Sequence, residues 1–223
     1  MSKRILVVAA HPDDEALGCG GTIAKHGAAG DEIYAVFMTD GVMARHGASS
    51  AEANDRWSAA ISAASILGLS ESFQLGFPDN RMDSVPLLDV VQALEKVIAK
   101  VRPEVIYTHH AGDLNIDHKV THQAVLTACR PVPGSTVTDI FAFEVLSSTE
   151  WADPNQFAFC PTMYVDITPF VHLKQQALVA YASEMRAGSH SRSVKHVCGL
   201  GEHRGNSVGV AAAEAFEVIR IIK

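Results

Sequence analysis

Five consecutive residues, His11-Pro12-Asp13-Asp14-Glu15, place an imidazole and three carboxylates at the end of the apolar run Ile5–Ala10, directly before a glycine-rich helical start. A strand that stops in front of so many charges gains nothing in packing from them, because an ionised group buried without a partner is costly. His11 and Asp14, three apart on one tight turn, can converge on a single cation. Asp13, between them, is free for a different task such as handling a proton. The competing reading is structural, since acidic residues opening a helix suit its macrodipole and proline suits its first turn. A second polar cluster favours chemistry: Thr108-His109-His110-Ala111-Gly112-Asp113-Leu114-Asn115-Ile116-Asp117-His118 follows the apolar run Val105–Tyr107 and precedes a helical pattern over Lys119–Cys129.

Strand patterns lie near Arg4–Ala10, Glu32–Met38, Ser72–Leu75, Val105–Thr108, Asp139–Glu144 and Met163–Asp166, with helical patterns between most of them. The first helix runs from Asp14 to about Ala29 and stops at Gly30. A second starts behind the capping box Ser49-x-x-Glu52 and ends at Gly68, and a third covers Leu87–Lys100 before Pro103. Thr168-Pro169 reads as an N-cap and first-turn proline for a helix reaching Tyr181. Val208–Lys223 carries no clear pattern. This β-α alternation predicts one α/β domain over residues 1–223, a Rossmann-like, doubly wound and mostly parallel sheet. Ligands of such sheets bind beyond the carboxyl ends of the strands, so the two clusters meet if their strands are neighbours. His11, Asp14 and one histidine of the second cluster then form a two-His, one-carboxylate set with an open position, the composition of a hydrolytic zinc site. His122, four residues after His118, is the rival ligand, because an i, i+4 histidine pair can share a metal. His109 and His110, nearer the strand end, are candidates for supporting hydrogen bonds or for a proton donor.

An apolar strand ending in Ala10-His11-Pro12-Asp13-Asp14-Glu15, a glycine-rich helix start and a later Asp117-His118 pair together resemble the PIG-L (LmbE-like) family of zinc-dependent N-deacetylases. The resemblance extends to Arg56, to Gly76-Phe77-Pro78-Asp79-Asn80 and to the closing stretch from Arg204-Gly205 to Phe216. The first motif is highly specific and the others individually weak. Carried over, the resemblance makes His11, Asp14 and His118 ligands of one Zn2+ and Asp13 the general base. Arg56 and Asp79 would touch substrate hydroxyls or orient the site. The implied reaction is removal of the N-acetyl group from an N-acetylated amino sugar or its conjugate, with an amidase acting on a larger acyl group of an amino-sugar thiol conjugate as the alternative. One departure matters: Asn115 and Asp113 stand where many members carry a histidine and some a tyrosine, so the usual proton donor and oxyanion partner are missing. Both are retained as substrate-side residues.

The long loops Thr39–Ser49, Gly76–Val85, His109–Asp117 and Ser147–Cys160 are expected to wall the pocket. Met185–Arg192 is a further wall, in which Arg192 suits an anionic or polyhydroxylated substrate and His190 is the candidate to protonate the leaving amine. At 223 residues and 48% apolar content the chain can bury a full core. A net charge of −7 without a basic run argues against nucleic acid and against a membrane surface. No stretch reads as a signal peptide or a membrane span, so a cytoplasmic protein is expected, with a homo-oligomer left open. The four cysteines show no CxxC spacing and no disulfide framework, and Cys19 reads as a small helix residue. Gly18-x-Gly20-Gly21 invites a nucleotide-binding module instead, but the spacing fails G-x-G-x-x-G and the preceding carboxylates would repel a pyrophosphate.

Overall fold

The computed structural model describes residues 2–223. β1 (Arg4–Ala9) alternates Ile5, Val7 and Ala9 on one face with Leu6 and Val8 on the other, and all five are fully buried. A strand apolar on both faces must be covered on both, and each large side chain so buried contributes about 1.5–3 kcal/mol. One covering layer consists of α1 (Asp14–Ala28), α2 (Ser50–Leu67) and α5 (Val171–Ala180), and the other of α3 (Leu87–Val101) and α4 (Ile116–Ala128). The remaining strands are β2 (Glu32–Thr39), β3 (Glu71–Phe77), β4 (Val105–His109), β5 (Asp139–Phe143), β6 (Met163–Asp166) and β7 (Ala213–Ile221), and a sixth helix, α6, spans Val194–Asn206.

The sheet order is β3-β2-β1-β4-β5-β7-β6, parallel from β3 through β5, with β7 antiparallel to both of its neighbours. Strand order reverses between β1 and β4. That switch point opens a crevice at their carboxyl ends, so the two polar clusters are adjacent because their strands are.

The structure amends the sequence reading in three places. The unassigned tail is β7, inserted between β5 and β6. Its start, Ala213-Glu214-Ala215, is poor in strand formers, and Glu214 is nevertheless buried because it pairs with Lys174 at 2.5 Å and accepts the N–H groups of Gly21 (2.9 Å) and Thr22 (2.7 Å). Those two N–H groups are free because α1 kinks at Cys19 (φ −143°, ψ 24°), where the sequence pattern predicts an unbroken helix. The nearby glycines serve packing: a Cβ on Gly18 would run into the Phe143 ring, and one on Gly21 would lie 2.8 Å from Ile167. Finally, Thr168 does not cap α5. It opens a 3-10 turn, Thr168–Phe170, and its hydroxyl takes the Ala212 N–H instead, at 3.2 Å. Among the described residues no helix is long and apolar enough to cross a membrane.

Candidate metal centre and its cleft

β1 ends in a turn closed by the Asp14 N–H on the His11 carbonyl (3.2 Å), and the His11 N–H donates to Asp14 Oδ2 (2.9 Å). This fixes the carboxylate beside the imidazole. From the far side α4 supplies His118, one turn behind its cap Asn115, whose Oδ1 accepts the Asp117 N–H at 2.8 Å. Three ligand atoms converge there. His11 Nδ1 lies 3.2 Å from Asp14 Oδ2, His118 Nε2 lies 3.3 Å from the same oxygen, and the two nitrogens are 3.3 Å apart. A tetrahedral zinc ion with bonds of about 2.0–2.1 Å needs donor atoms separated by about 3.3 Å. Asp14 Oδ1 is buried with no hydrogen-bond partner. Donor chemistry, spacing and the unpartnered oxygen all fit one divalent cation.

Each imidazole is aimed by a carboxylate behind it, as metal-binding histidines require. With Nδ1 turned to the centre, His11 carries its proton on Nε2, which faces Asp117 Oδ2 at 3.1 Å and Asp79 Oδ1 at 3.3 Å. Asp117 is itself held by the N–H groups of Asn80 (2.7 Å) and Met82 (3.0 Å). His118 Nδ1 faces Asp113 Oδ1 at 3.1 Å, and Asp113 accepts from the hydroxyls of Ser148 and Thr149, the latter at 2.6 Å. Burial alone would lower both imidazole pKa values, but the surrounding carboxylates overcome it. His11 is raised well above its usual value by Asp117, Asp14 and Asp79, and His118 is raised to about 9 by Asp14 and Asp113. Burial opposes the ionisation of Asp14, yet its pKa falls well below the carboxylate range beside these histidines. The whole centre favours positive charge, which is the demand a cation meets.

Asp13 occupies a backbone conformation that L-residues rarely adopt, φ +125°, strain of about 1–3 kcal/mol that the neighbouring contacts must offset. Its Oδ2 accepts from Arg56 Nη2 and Arg192 Nη1, both at 3.0 Å, and its Oδ1 is buried and unpartnered. Arg56 is buried, bonded through Nε to the Pro12 carbonyl (2.6 Å), paired with Glu184 and seated over the Tyr181 ring. Glu15 lies beneath, accepting the Asp13 N–H at 3.0 Å and the Tyr181 hydroxyl at 2.7 Å, and its burial pushes its pKa up to about 7. In front of this layer is a cleft of about 130 Å³, lined by His11, Asp13, Arg56, Asp79, Asn115 and Arg192 together with Gly41, Arg45, Asn80 and Glu184.

Seven of the expected residues thus meet at or beside the centre, and Asn115 stands at the rim, where its Nδ2 donates to Asn80 Oδ1 (3.0 Å). Two expectations need correction. Asp113 is fully buried behind His118 and presents nothing to a substrate, because both of its oxygens are used to hold the ring and the Ser148-Thr149 turn. His190 does not line the cleft: exposed, it packs edge-on against Trp151 at 5.9 Å and accepts the Arg192 N–H at 3.0 Å. The segment delivers Arg192 instead, steadied by its Nε on Ser147 Oγ at 2.9 Å. The remaining histidines are occupied elsewhere. His109 accepts the Ala10 N–H at 2.8 Å and stacks on His118 at 3.9 Å, His110 is pinned to Glu217 at 2.6 Å, and His122 Nδ1 donates to the His109 carbonyl at 2.8 Å. Sequence reasoning assigns no role to Asp117, Glu15, Glu184 or Arg45. The first two are visible within the motifs already singled out, whereas no local signal marks Glu184 or Arg45.

These features define an α/β protein whose switch point holds a metal-capable centre beside a separately held carboxylate. The chain belongs to the PIG-L family, described as GlcNAc-PI de-N-acetylase, which residues 6–129 match. The uncharacterized deacetylase YaiS of Escherichia coli K12 is 37% identical over 136 residues, spanning 59% of this chain and 70% of its own. The 1D-myo-inositol 2-acetamido-2-deoxy-alpha-D-glucopyranoside deacetylase of Mycolicibacterium smegmatis is 29% identical over 242 aligned positions, covering 86% and 83% of the two chains. Among solved structures, N,N'-diacetylchitobiose deacetylase from Pyrococcus horikoshii superposes with a TM-score of 0.79 at 22% identity, over 98% of this chain and 84% of that one, a likeness of fold.

Proposed function

We propose that this PIG-L-family deacetylase is a zinc-dependent hydrolase that removes the acetyl group from an N-acetylated amino sugar or its conjugate. The observation that carries the reading is the triangle of His11 Nδ1, Asp14 Oδ2 and His118 Nε2, with sides of 3.2–3.3 Å, next to a carboxylate that takes no part in it. A divalent cation bound there supplies Lewis acidity, polarising the amide carbonyl and acidifying a water. Asp13 is the general base. Its Oδ2 is clamped by Arg56 and Arg192, which leaves the unpartnered Oδ1 to accept the proton of the attacking water. Asn115 cannot donate a proton and His190 lies off the cleft, so Asp13 also returns the proton to the leaving amine.

The family description and the M. smegmatis relative support an amino-sugar substrate. The lining favours acetyl over a larger acyl group, because the cleft presents polar side chains and one glycine but no apolar wall to receive a longer chain. The test is acetate release from a panel of N-acetylglucosamine derivatives by the metal-loaded protein, before and after chelation. Acetate formation that stops on chelation and returns with added Zn2+ is the expected result. Undiminished activity in the fully demetallated protein would overturn the reading.

A further inference from the structure

The strained backbone of Asp13 (φ +125°, ψ −24°) is anchored on its carbonyl side by the Leu17 N–H at 2.9 Å, in the first turn of α1, so it has to be held at its amide side as well. There the Asp13 N–H donates to Glu15 Oε2 at 3.0 Å, and Glu15 Oε1 accepts the Tyr181 hydroxyl at 2.7 Å. Tyr181, fully buried just past the end of α5, serves a second arm too. Its ring lies 5.6 Å from the Arg56 guanidinium carbon, and its carbonyl accepts the Glu184 N–H at 2.8 Å, closing the turn that carries Glu184 to Arg56. Arg56 Nη2 meets Asp13 Oδ2 at 3.0 Å. A closed ring of contacts therefore runs from the Asp13 amide through Glu15, Tyr181 and Arg56 back to the Asp13 carboxylate, and every member is buried. The metal ligands are held by other means. Asp14 accepts the His11 N–H, Asp117 backs the His11 ring and Asp113 backs that of His118, and none of these bonds involves Tyr181.

A buried tyrosine hydroxyl needs an acceptor for stability, and many acceptors would do. This hydroxyl engages the carboxylate that holds a strained catalytic amide, while its ring supports the guanidinium that holds the same residue's side chain. A catalytic group has to stay within about 0.5 Å of its productive place, which takes supporting contacts of this kind. We propose that Tyr181 is a positioning residue for the general base: through Glu15 it fixes the backbone of Asp13, and beneath Arg56 it steadies the carboxylate, so that Oδ1 is aimed at the attacking water. The proposal rests on the deacetylase reading and adds to it a residue that touches neither the metal ligands nor the cleft.

The experiment is a double-mutant cycle read in kcat, KM and metal content per chain, on the N-acetylglucosamine derivative that the parent deacetylates fastest. Tyr181→Phe keeps the ring beneath Arg56 and removes only the hydroxyl. It is expected to retain one cation per chain and a parental KM, and to lower kcat roughly 3- to 10-fold, the worth of one hydrogen bond. In the Asp13→Asn background no base is left to aim, so the same substitution should change the residual turnover by less than about two-fold. A role confined to stability shifts the denaturant midpoint in both backgrounds and leaves kcat of the folded, metal-loaded protein at the parental value. Glu15→Asp, one methylene too short to span the Asp13 amide and the Tyr181 hydroxyl, is read by the same ratio and decides the matter should Tyr181→Phe fail to fold. A parental kcat in the metal-loaded variant, an equal loss in both backgrounds, or loss of the cation overturns the proposal and leaves deacetylation by the parent intact. A parent that releases acetate from no N-acetylglucosamine derivative overturns the deacetylase reading, and the proposal with it.

Discussion

The floor of the cleft and its rim are built on different principles. On the floor, His11 and Asp14 are buried just past β1 and His118 in the first turn of α4, and each imidazole is backed by a carboxylate that is itself hydrogen-bonded. On the rim, Arg45 is 46% and Arg192 21% exposed, and both are carried by loops. The floor therefore depends on the sheet and tolerates little displacement, whereas the rim can change without disturbing it. On the proposed function, the reaction depends on the first region, and the second is free to vary around it.

Removing a floor ligand should have the largest effect. His11→Ala and His118→Ala are each expected to lose bound metal and to bring acetate release down to background, whereas His122→Ala, whose Nδ1 is spent on the His109 carbonyl, should keep both. Metal content per chain and turnover, measured side by side, check this. Asp113→Ala removes the support of His118 without removing the ligand, so metal affinity should fall by about 10–100-fold in a competition titration with a chelator. An unchanged affinity would show that the ring needs no such support.

Glu15 gives a stability effect with a definite sign. Its pKa rises from an ordinary 4.5 to about 7 in the fold, so between those values the folded protein holds a proton that the unfolded chain releases. Stability should therefore be lost as pH rises through that window, by roughly 1–3 kcal/mol from this group. Glu15→Gln, which can still accept from the Tyr181 hydroxyl, should flatten the slope of denaturant midpoint against pH. A slope identical to the parent's would contradict the assignment. The smallest effect is expected on the rim beyond Arg192: His190→Ala should leave kcat within about two-fold and the pH profile unmoved, because its ring packs on Trp151 outside the cleft. A displaced basic limb would return His190 to the reaction.

This division also separates what the sequence discloses from what it hides. The floor is legible because its residues are contiguous: His11, Asp13 and Asp14 share one turn, and Asp117 and His118 share the first turn of α4. Strand–helix alternation then places the two turns at one switch point. The rim is assembled across the chain, with Arg45 meeting Glu184 over 139 residues and Asp13 meeting Arg192 over 179. No local pattern records such a pairing. Arg192 is foreseeable from its basic segment, but the same reasoning favours His190, since the orientation of the segment is set by Gly188 (φ +72°) and the Ser147 hydrogen bond rather than by composition. β7 escapes a sequence reading for a related reason: its buried Glu214 is tolerable only because Lys174 and the kink of α1 are there to meet it.

The mechanism gives two adjacent carboxylates, Asp13 and Asp14, different work. It is tested most directly by the metal content and turnover of Asp13→Asn beside those of Asp14→Asn. Asp13→Asn should retain one cation per chain and lose roughly 10²–10⁴ in kcat, the contribution of a positioned general base. Asp14→Asn should lose the cation itself, since Asp14 Oδ2 lies within 3.3 Å of both ligand nitrogens and supplies the anionic ligand. Full metal content in Asp14→Asn, or near-parental turnover in Asp13→Asn, would contradict the account.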